Sequence, residues 1–319
     1  MKKYFVKGSL SFMKPEIIFR DKIDFPLFLN IEPTNDCNLS CTMCPRTLSD
    51  KKVGYMDFNL FKKIIDECAE YKKVLVLNLL KDGEPLLHSE LSQMVKYVRE
   101  KDAAEIVHFN TNATLLTSER SETLIDCEVD DITLSIDAYY QDTFKRIKGG
   151  GSLKKIVSNV KYLKELRDKK NKKKPFLRAK FIEMPETKDE IEKCIEFWKG
   201  RVDEVQIQKV HNYGGGVSYG SVNQNNRYPC SFLWQALAIN WDGTVNLCCA
   251  DYTQSDILGD VTKDSIYDIF NGEKLSYYRK AMLENRYEEI ASCKNCNIWR
   301  VGANIIEYLD NNRKKYRSN

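Results

Sequence analysis

Along the first two-thirds of the chain, short apolar runs rich in β-formers alternate with stretches of helical period. The runs fall at 25–31, 74–80, 105–110, 131–136, 177–182 and 204–210, and their length and Val, Ile, Phe and Thr content predict buried strands. Between them Leu60, Ile64, Ile65 and Cys68, then Leu91, Met94, Val95 and Val98, recur at the spacing of an amphipathic helix. Thr187 followed by Glu190 has the form of a capping box, opening a helix that carries Ile191, Cys194, Ile195 and Trp198. Six β-then-α units in succession predict an α/β fold with a parallel sheet and helices outside, because each parallel crossover needs a long connection. Six units are too few for a closed eight-stranded barrel. The expected core is therefore a partial (β/α)6 barrel with its active site at the C-terminal ends of the strands.

The pattern changes after Val210. Glycines at 214–216 and a polar stretch at 218–227 read as a linker. Beyond it, 236–240 and 244–247 flank Asp242 and Gly243, a hairpin signal because both residue types tolerate positive φ. A helical stretch follows over 266–283. The expected division is an N-terminal extension (1–24), the barrel domain (25–215), a small C-terminal domain with a hairpin and a helix (216–303), and a charged tail or terminal helix (304–319).

The 319 residues are 42% hydrophobic, enough for a substantial core. Fifty Lys and Arg against 46 Asp and Glu leave a net charge of +4, far from the basic footprint of a nucleic-acid binder. The densest basic run, 169–174, reads as a solvated loop. No run approaches the length of a membrane span, and the N-terminus lacks the features of a secretory signal, so a cytoplasmic location is expected. Eleven cysteines stand out against that background. In a reducing compartment clustered cysteines read first as metal ligands or catalytic groups, and an odd number argues against a fully paired disulfide framework.

Cys37, Cys41 and Cys44 form C-x3-C-x2-C directly after the first predicted strand. Three thiolates within eight residues suit an iron–sulfur cluster wrapped by a loop. They are one short of a fully coordinated [4Fe–4S] cube, which leaves one iron open. A structural zinc site normally needs four N or S ligands, and one lone triplet does not supply them.

The segment Asn35-Asp36-Cys37-Asn38-Leu39-Ser40-Cys41-Thr42-Met43-Cys44-Pro45 resembles the signature of the radical S-adenosylmethionine (SAM) superfamily. The resemblance implies that SAM chelates the open iron and is cleaved to a 5′-deoxyadenosyl radical that abstracts hydrogen from a substrate. It also implies a flavodoxin- or ferredoxin-like electron donor. The residue before the third cysteine packs near adenine in the family, and here it is Met43. Asp82-Gly83-Glu84-Pro85 follows the second strand and resembles the Gly-Gly-Glu-Pro motif, with Asp82 in place of the first glycine. Gly83 and Glu84 are thereby expected to contact the methionine amino group. Thr111-Asn112-Ala113 and Ser135-Ile136-Asp137 are similar to segments that contact the cofactor's ribose and carboxylate, which makes Asn112, Ser135 and Asp137 cofactor-binding candidates. The resemblance covers roughly residues 25 to 215.

Cys230 is followed by Gly243, Cys248, and then Cys293 and Cys296 in a C-x2-C pair. Four cysteines in two segments can surround one metal centre, and on spacing alone zinc and iron–sulfur readings stand level. The pattern C-x12-G-x4-C, a gap and C-x2-C is similar to the start of the SPASM domain. No cysteine follows Cys296, and Gly302 stands where the next would fall. The domain therefore looks truncated to a twitch-like form with one auxiliary [4Fe–4S] cluster, making two clusters in all, as in the 2-deoxy-scyllo-inosamine dehydrogenase family. Cys249 is expected to pack as apolar surface, because neighbouring strand residues face opposite ways. Cys68, Cys127 and Cys194 are expected to be ordinary buried cysteines.

Four ligands leave no open iron at the second cluster, so electron transfer is its expected role. Only 36 residues precede Cys37, which favours a small hydroxylated substrate such as a sugar, aminocyclitol or nucleotide-sugar over a peptide with its own leader-binding domain. A radical peptide or protein maturase is the alternative, and a non-catalytic zinc module a distant third. Arg178, His211 and Asp251 are the candidate catalytic groups, with Gln206 and Gln208 also substrate-facing. His or Asp would accept the proton lost during an oxidation. Tyr213, Tyr228 and Trp234 are expected to form an interdomain core.

Overall fold

A computed structural model describes residues 24–219, 227 and 229–300. The expectations for the tail at 304–319, for Tyr228 and for most of 218–227 lie outside these residues. Strands β1 (Phe28–Ile31), β2 (Val74–Asn78), β3 (Ala104–Thr111), β4 (Asp131–Ser135), β5 (Phe176–Glu183) and β6 (Glu204–Lys209) pair in parallel in chain order. The helices between them are α1 (Phe58–Tyr71), α2 (Leu91–Glu100), α3 (Ser118–Asp126), α4 (Gln141–Lys148), α5 (Leu153–Lys169) and α6 (Ile191–Trp198). This is the expected partial barrel, an open sheet rather than a closed ring.

The two faces of the sheet differ chemically. Leu177, Ala179 and Phe181 of β5 are fully buried with Ile156, Val160 and Leu163 of α5 and with Cys194 and Trp198 of α6. On the other face, register aligns Thr133, Arg178 and Glu204 in one row across β4, β5 and β6, and Ser135, Lys180 and Gln206 in the next. The strands therefore alternate apolar-out and polar-in. A separate apolar group of Leu75, Val76 and Ile106, with Leu27 and Phe28 against it, fills the space beside β1, β2 and β3.

The C-terminal segment joins this sheet. After α7 (Phe232–Gln235), β7 (Ala236–Ile239) pairs in parallel with β1, and β8 (Thr244–Asn246) and β9 (Ile257–Asp260) follow antiparallel, giving one nine-stranded sheet in the order β6-β5-β4-β3-β2-β1-β7-β8-β9. The predicted hairpin forms, closed by Asn240 N–H donating to Thr244 O at 2.8 Å, but only Gly243 of its turn pair takes positive φ. Three local expectations change. The stretch 266–283 is two helices, α8 (Ile266–Asn271) and α9 (Glu273–Leu283), because Gly272 is extended. The capping box does not form, since Thr187 turns its hydroxyl to Ile182 O and Glu190 accepts from Tyr139 and Tyr140 N–H ahead of α4. The glycines at 214–216 are packed, not loose. A Cβ on Gly214 (φ +69°) would stand 2.9 Å from Ser292 O, and one on Gly216 would stand 2.2 Å from the Tyr252 ring.

Candidate active site

The loop after β1 carries Cys37, Cys41 and Cys44 across the end of α4. Ser40 and Thr42 N–H donate to Lys148 O and Ile147 O at 3.2 and 2.8 Å, and Arg46 donates to Leu39 O at 3.0 Å. Burial raises all three thiols above their ordinary range, Cys44 to about 11, and Cys44 feels the charge of both Cys41 and Cys37. The three sulfurs thus share one neighbourhood. Beside them Lys148 is ion-paired with Asp137, and its charge reaches Cys41 and Cys44.

The loop after β2 locks onto this one. Gly83 is the position where only glycine fits, because a Cβ there would stand 2.1 Å from Thr34 O and 2.6 Å from Asp36 O. Glu84 N–H donates to Asp36 O at 2.7 Å. The Glu84 carboxylate is buried and accepts from Thr111 Oγ1 (2.6 Å), Asn112 N (2.8 Å) and Leu86 N (3.2 Å), so it ties the β2 and β3 loops together. Asn112 Nδ2 donates to Asn38 Oδ1 at 2.9 Å and lies 4.0 Å from Cys37 Sγ. Asp82 bridges Lys51 at 2.5 Å and Lys81 at 2.8 Å. Ser135 ends β4, and Asp137 (φ +65°) accepts from Ile182 N at 2.9 Å. Met43 is buried in the main apolar core.

The second set assembles from three elements. Cys230 precedes α7, Cys248 follows β8, Cys293 sits in α10 (Ala291–Lys294) and Cys296 just beyond it. Burial raises Cys230 to about 12 and holds Cys248 far above the usual thiol range, with Cys249, Cys293, Cys296 and Cys230 contributing to Cys248 in that order. Asp256 fastens α10 to the hairpin, accepting from Ser292 N (2.8 Å) and Oγ (2.7 Å) while Leu247 N donates to Asp256 O at 3.0 Å. Ile298 N donates to Cys296 Sγ at 3.2 Å. Cys249 is not core surface as expected. It lies outside the apolar clusters, and its thiol feels Lys81 and Asp82. Cys68, Cys127 and Cys194 are buried in the core.

Residues 31–174 match the radical SAM superfamily, and residues 230–297 match SPASM, an iron–sulfur cluster-binding domain. The chain is a radical SAM enzyme with a SPASM domain. It is 25% identical over 317 residues to the tungsten-containing aldehyde ferredoxin oxidoreductase cofactor-modifying protein of Pyrococcus furiosus, covering 85% of this chain and 87% of that one. It is 22% identical over 275 residues to the SAM-dependent 2-deoxy-scyllo-inosamine dehydrogenase of Niallia circulans, covering 84% and 92%. Its fold matches BtrN in complex with AdoMet and 2-DOIA (TM-score 0.62, 20% identity, 87% and 94% covered) and Streptococcus suis SuiB bound to precursor peptide SuiA (TM-score 0.68, 14% identity, 89% and 74% covered).

A radical SAM domain implies a [4Fe–4S] cluster and SAM, and a SPASM domain implies further iron–sulfur centres. The residues fit both. All eleven cysteines are free thiols, and the two sets lie on segments joined by the β1–β7 pairing. Among the described residues, no three His, Cys, Asp or Glu side chains are grouped so as to hold a single metal ion.

The radical SAM enzyme's substrate-facing candidates separate into three cases. Arg178 near the start of β5 is spent on the barrel interior, donating to Glu204 at 3.0 Å, Thr133 at 3.3 Å and Asp131 at 2.9 Å. Asp251 is buried and accepts from Ser255 N and Asp256 N at 3.0 Å each, which makes it the organiser of its own loop. His211 remains open. Its Nδ1 is buried without a partner among the described residues, and burial first and Lys180 second depress its pKa to about 4. Gln206 and Gln208 lie on β6, partly buried. Tyr213 (φ +47°) packs edge-on to His211, with ring centroids 4.2 Å apart, and lies within reach of the charges of Cys44 and Cys249. Trp234 packs against the main core.

Sequence reasoning missed Lys180. The signal was present: a second cation two residues after Arg178 falls on the same strand face. Among the described residues, no helix is long and apolar enough to cross a membrane.

Proposed function

We propose that this enzyme oxidises a hydroxyl-bearing carbon of a small polar molecule, a sugar, aminocyclitol or nucleotide-sugar, bound at the C-terminal ends of β4, β5 and β6. The observation that carries the reading is His211, just past the end of β6 and edge-on to Tyr213, whose buried Nδ1 has no partner among the described residues and whose pKa burial and Lys180 depress to about 4. In this reading Cys37, Cys41 and Cys44 hold one [4Fe–4S] cluster that binds SAM, and Cys230, Cys248, Cys293 and Cys296 hold a second. When bound, the first cluster with SAM supplies a hydrogen-abstracting 5′-deoxyadenosyl radical and the second supplies a one-electron acceptor.

Oxidation of a CH–OH carbon to a ketone releases a hydrogen atom, a proton and an electron. The protein's own part is the proton, which passes from the hydroxyl to His211 Nδ1. Gln206 offers a donor and an acceptor to neighbouring hydroxyls. Asn112, Ser135 and the Asp137–Lys148 pair line the cofactor's side. The similarity to a 2-deoxy-scyllo-inosamine dehydrogenase supports this class of substrate.

The test is anaerobic turnover of the reconstituted enzyme with a reduced flavodoxin or ferredoxin, using aminocyclitols and nucleotide-sugars in one arm and precursor peptides in the other. Release of 5′-deoxyadenosine in step with a ketone product supports the reading. Release coupled only to a modified peptide overturns it and favours a maturase.

A further inference from the structure

Lys180 stands on the polar face, paired in register with Ser135 on β4 and Gln206 on β6 and partly buried, and among the described residues no hydrogen bond or ion pair engages its ammonium group. The charged groups around it are already committed. Asp137 is bonded to Lys148 and to Ile182 N–H, while Arg178 is bonded to Asp131 and Glu204. Burial first depresses the Lys180 pKa; Asp137 opposes this, and the positive charges of Lys148 and Arg178 add to it. The adjacent His211 Nδ1 is also buried and unpartnered. Two neighbouring polar groups left without partners carry a desolvation cost, and native structures keep that cost where a ligand relieves it.

We propose that Lys180 anchors an anionic group of the substrate, a carboxylate or a phosphate, seated on the Gln206 side of Lys180 and beside His211. This rests on the small-molecule reading above and narrows it to anionic substrates. It also links binding to chemistry. Lys180 is the charge that disfavours protonation of His211, apart from burial itself, and an anion on Lys180 cancels it. The imidazole then becomes a better proton acceptor only when the substrate is in place. Tyr213 faces the same ring edge-on, and Asp137, Lys148 and Arg178 face Lys180.

SAM carries a carboxylate of its own, so the test separates the two sources. The reconstituted enzyme, with clusters oxidised, is titrated with inorganic phosphate and with acetate while the ring resonances of His211 are followed; the chain has only three histidines. The titration is repeated with saturating SAM. In the wild type, one anion or the other shifts His211 saturably and raises its titration midpoint, with or without SAM. Lys180→Arg keeps the affinity within about threefold, and Lys180→Met weakens it at least tenfold. No saturable shift, or equal affinity in Lys180→Met, overturns the proposal. So does a result in which SAM abolishes anion binding and Lys180→Met loses SAM affinity tenfold, because the seat is then the cofactor's. If Lys180→Met fails to load its clusters, the wild-type titration decides: the Lys180 ¹³Cε resonance must move with His211. None of these readouts uses turnover, so their failure is distinct from failure of the oxidation reading.

Discussion

Asn212 and Asn297 exchange hydrogen bonds in both directions: Asn212 N–H donates to Asn297 Oδ1 at 2.9 Å, and Asn297 N–H donates to Asn212 Oδ1 at 3.1 Å. Asn212 Nδ2 also reaches Asn295 O at 2.7 Å. These bonds clamp the segment after β6, which carries His211, to the turn that carries Cys293 and Cys296. Asn212→Ala removes two part-buried hydrogen bonds, each worth about 0.5–1.5 kcal/mol. The expected result is lower iron retention at the SPASM site with the Cys37 site intact, measured as iron per chain alongside electron paramagnetic resonance of each cluster.

Gly83→Ala drives a methyl group into the Thr34 and Asp36 carbonyls. Backbone cannot yield as a flexible side chain does, so a loss of about 1–3 kcal/mol or more is expected. The damage falls on the cysteine loop. Thermal unfolding and SAM-dependent perturbation of the first cluster check it, and an unchanged cluster would show that the loop is not held by this packing.

The Lys148–Asp137 pair is almost wholly buried, with side-chain exposures of 4% and 1%. Lys148→Met strands a buried carboxylate and should destabilise by about 3–5 kcal/mol. Adding Asp137→Asn removes that charge and should restore part of the loss. Urea unfolding of the two single variants and the double variant measures the coupling.

His211 gives a pH dependence with a definite sign. Its folded pKa is depressed from 6.5 to about 4, so the stability it contributes is present above pH 6.5 and is lost as pH falls through about 4. A shift of that size corresponds to at most about 3 kcal/mol. His211→Gln should flatten this part of the stability profile, read from urea midpoints between pH 7 and pH 4.

Cys248 and Cys249 are adjacent; Cys248 feels Cys293, Cys296 and Cys230, whereas Cys249 feels Lys81 and Asp82 ahead of Cys296. Reconstituted Cys248→Ala should lose about four of about eight iron per chain. Cys249→Ala should keep all of them.

The parallel strands and their helices were readable because each depends on local period. The run at 131–136 becomes β4 at Asp131–Ser135, and Phe61, Ile64, Ile65 and Cys68 line the buried side of α1. The cysteine spacings were readable because thiolate chemistry is scarce and needs close partners. Local motifs with several possible partners misled. Glu190 had the spacing to cap its own helix, but it serves the Tyr139 and Tyr140 amides instead. The glycines at 214–216 have a linker's composition and a packed role.

The order of the residues settles the strand-and-helix alternation and the Cys37, Cys41 and Cys44 triplet, since both follow from spacing within one short segment. Which groups face one another across the fold is a matter of long-range pairing: β7 beside β1, Asn212 against Asn297, and Lys180 beside His211. Those relations join residues far apart in the chain. They arise only when the sheet closes its register and burial leaves each polar group either satisfied or waiting for a ligand.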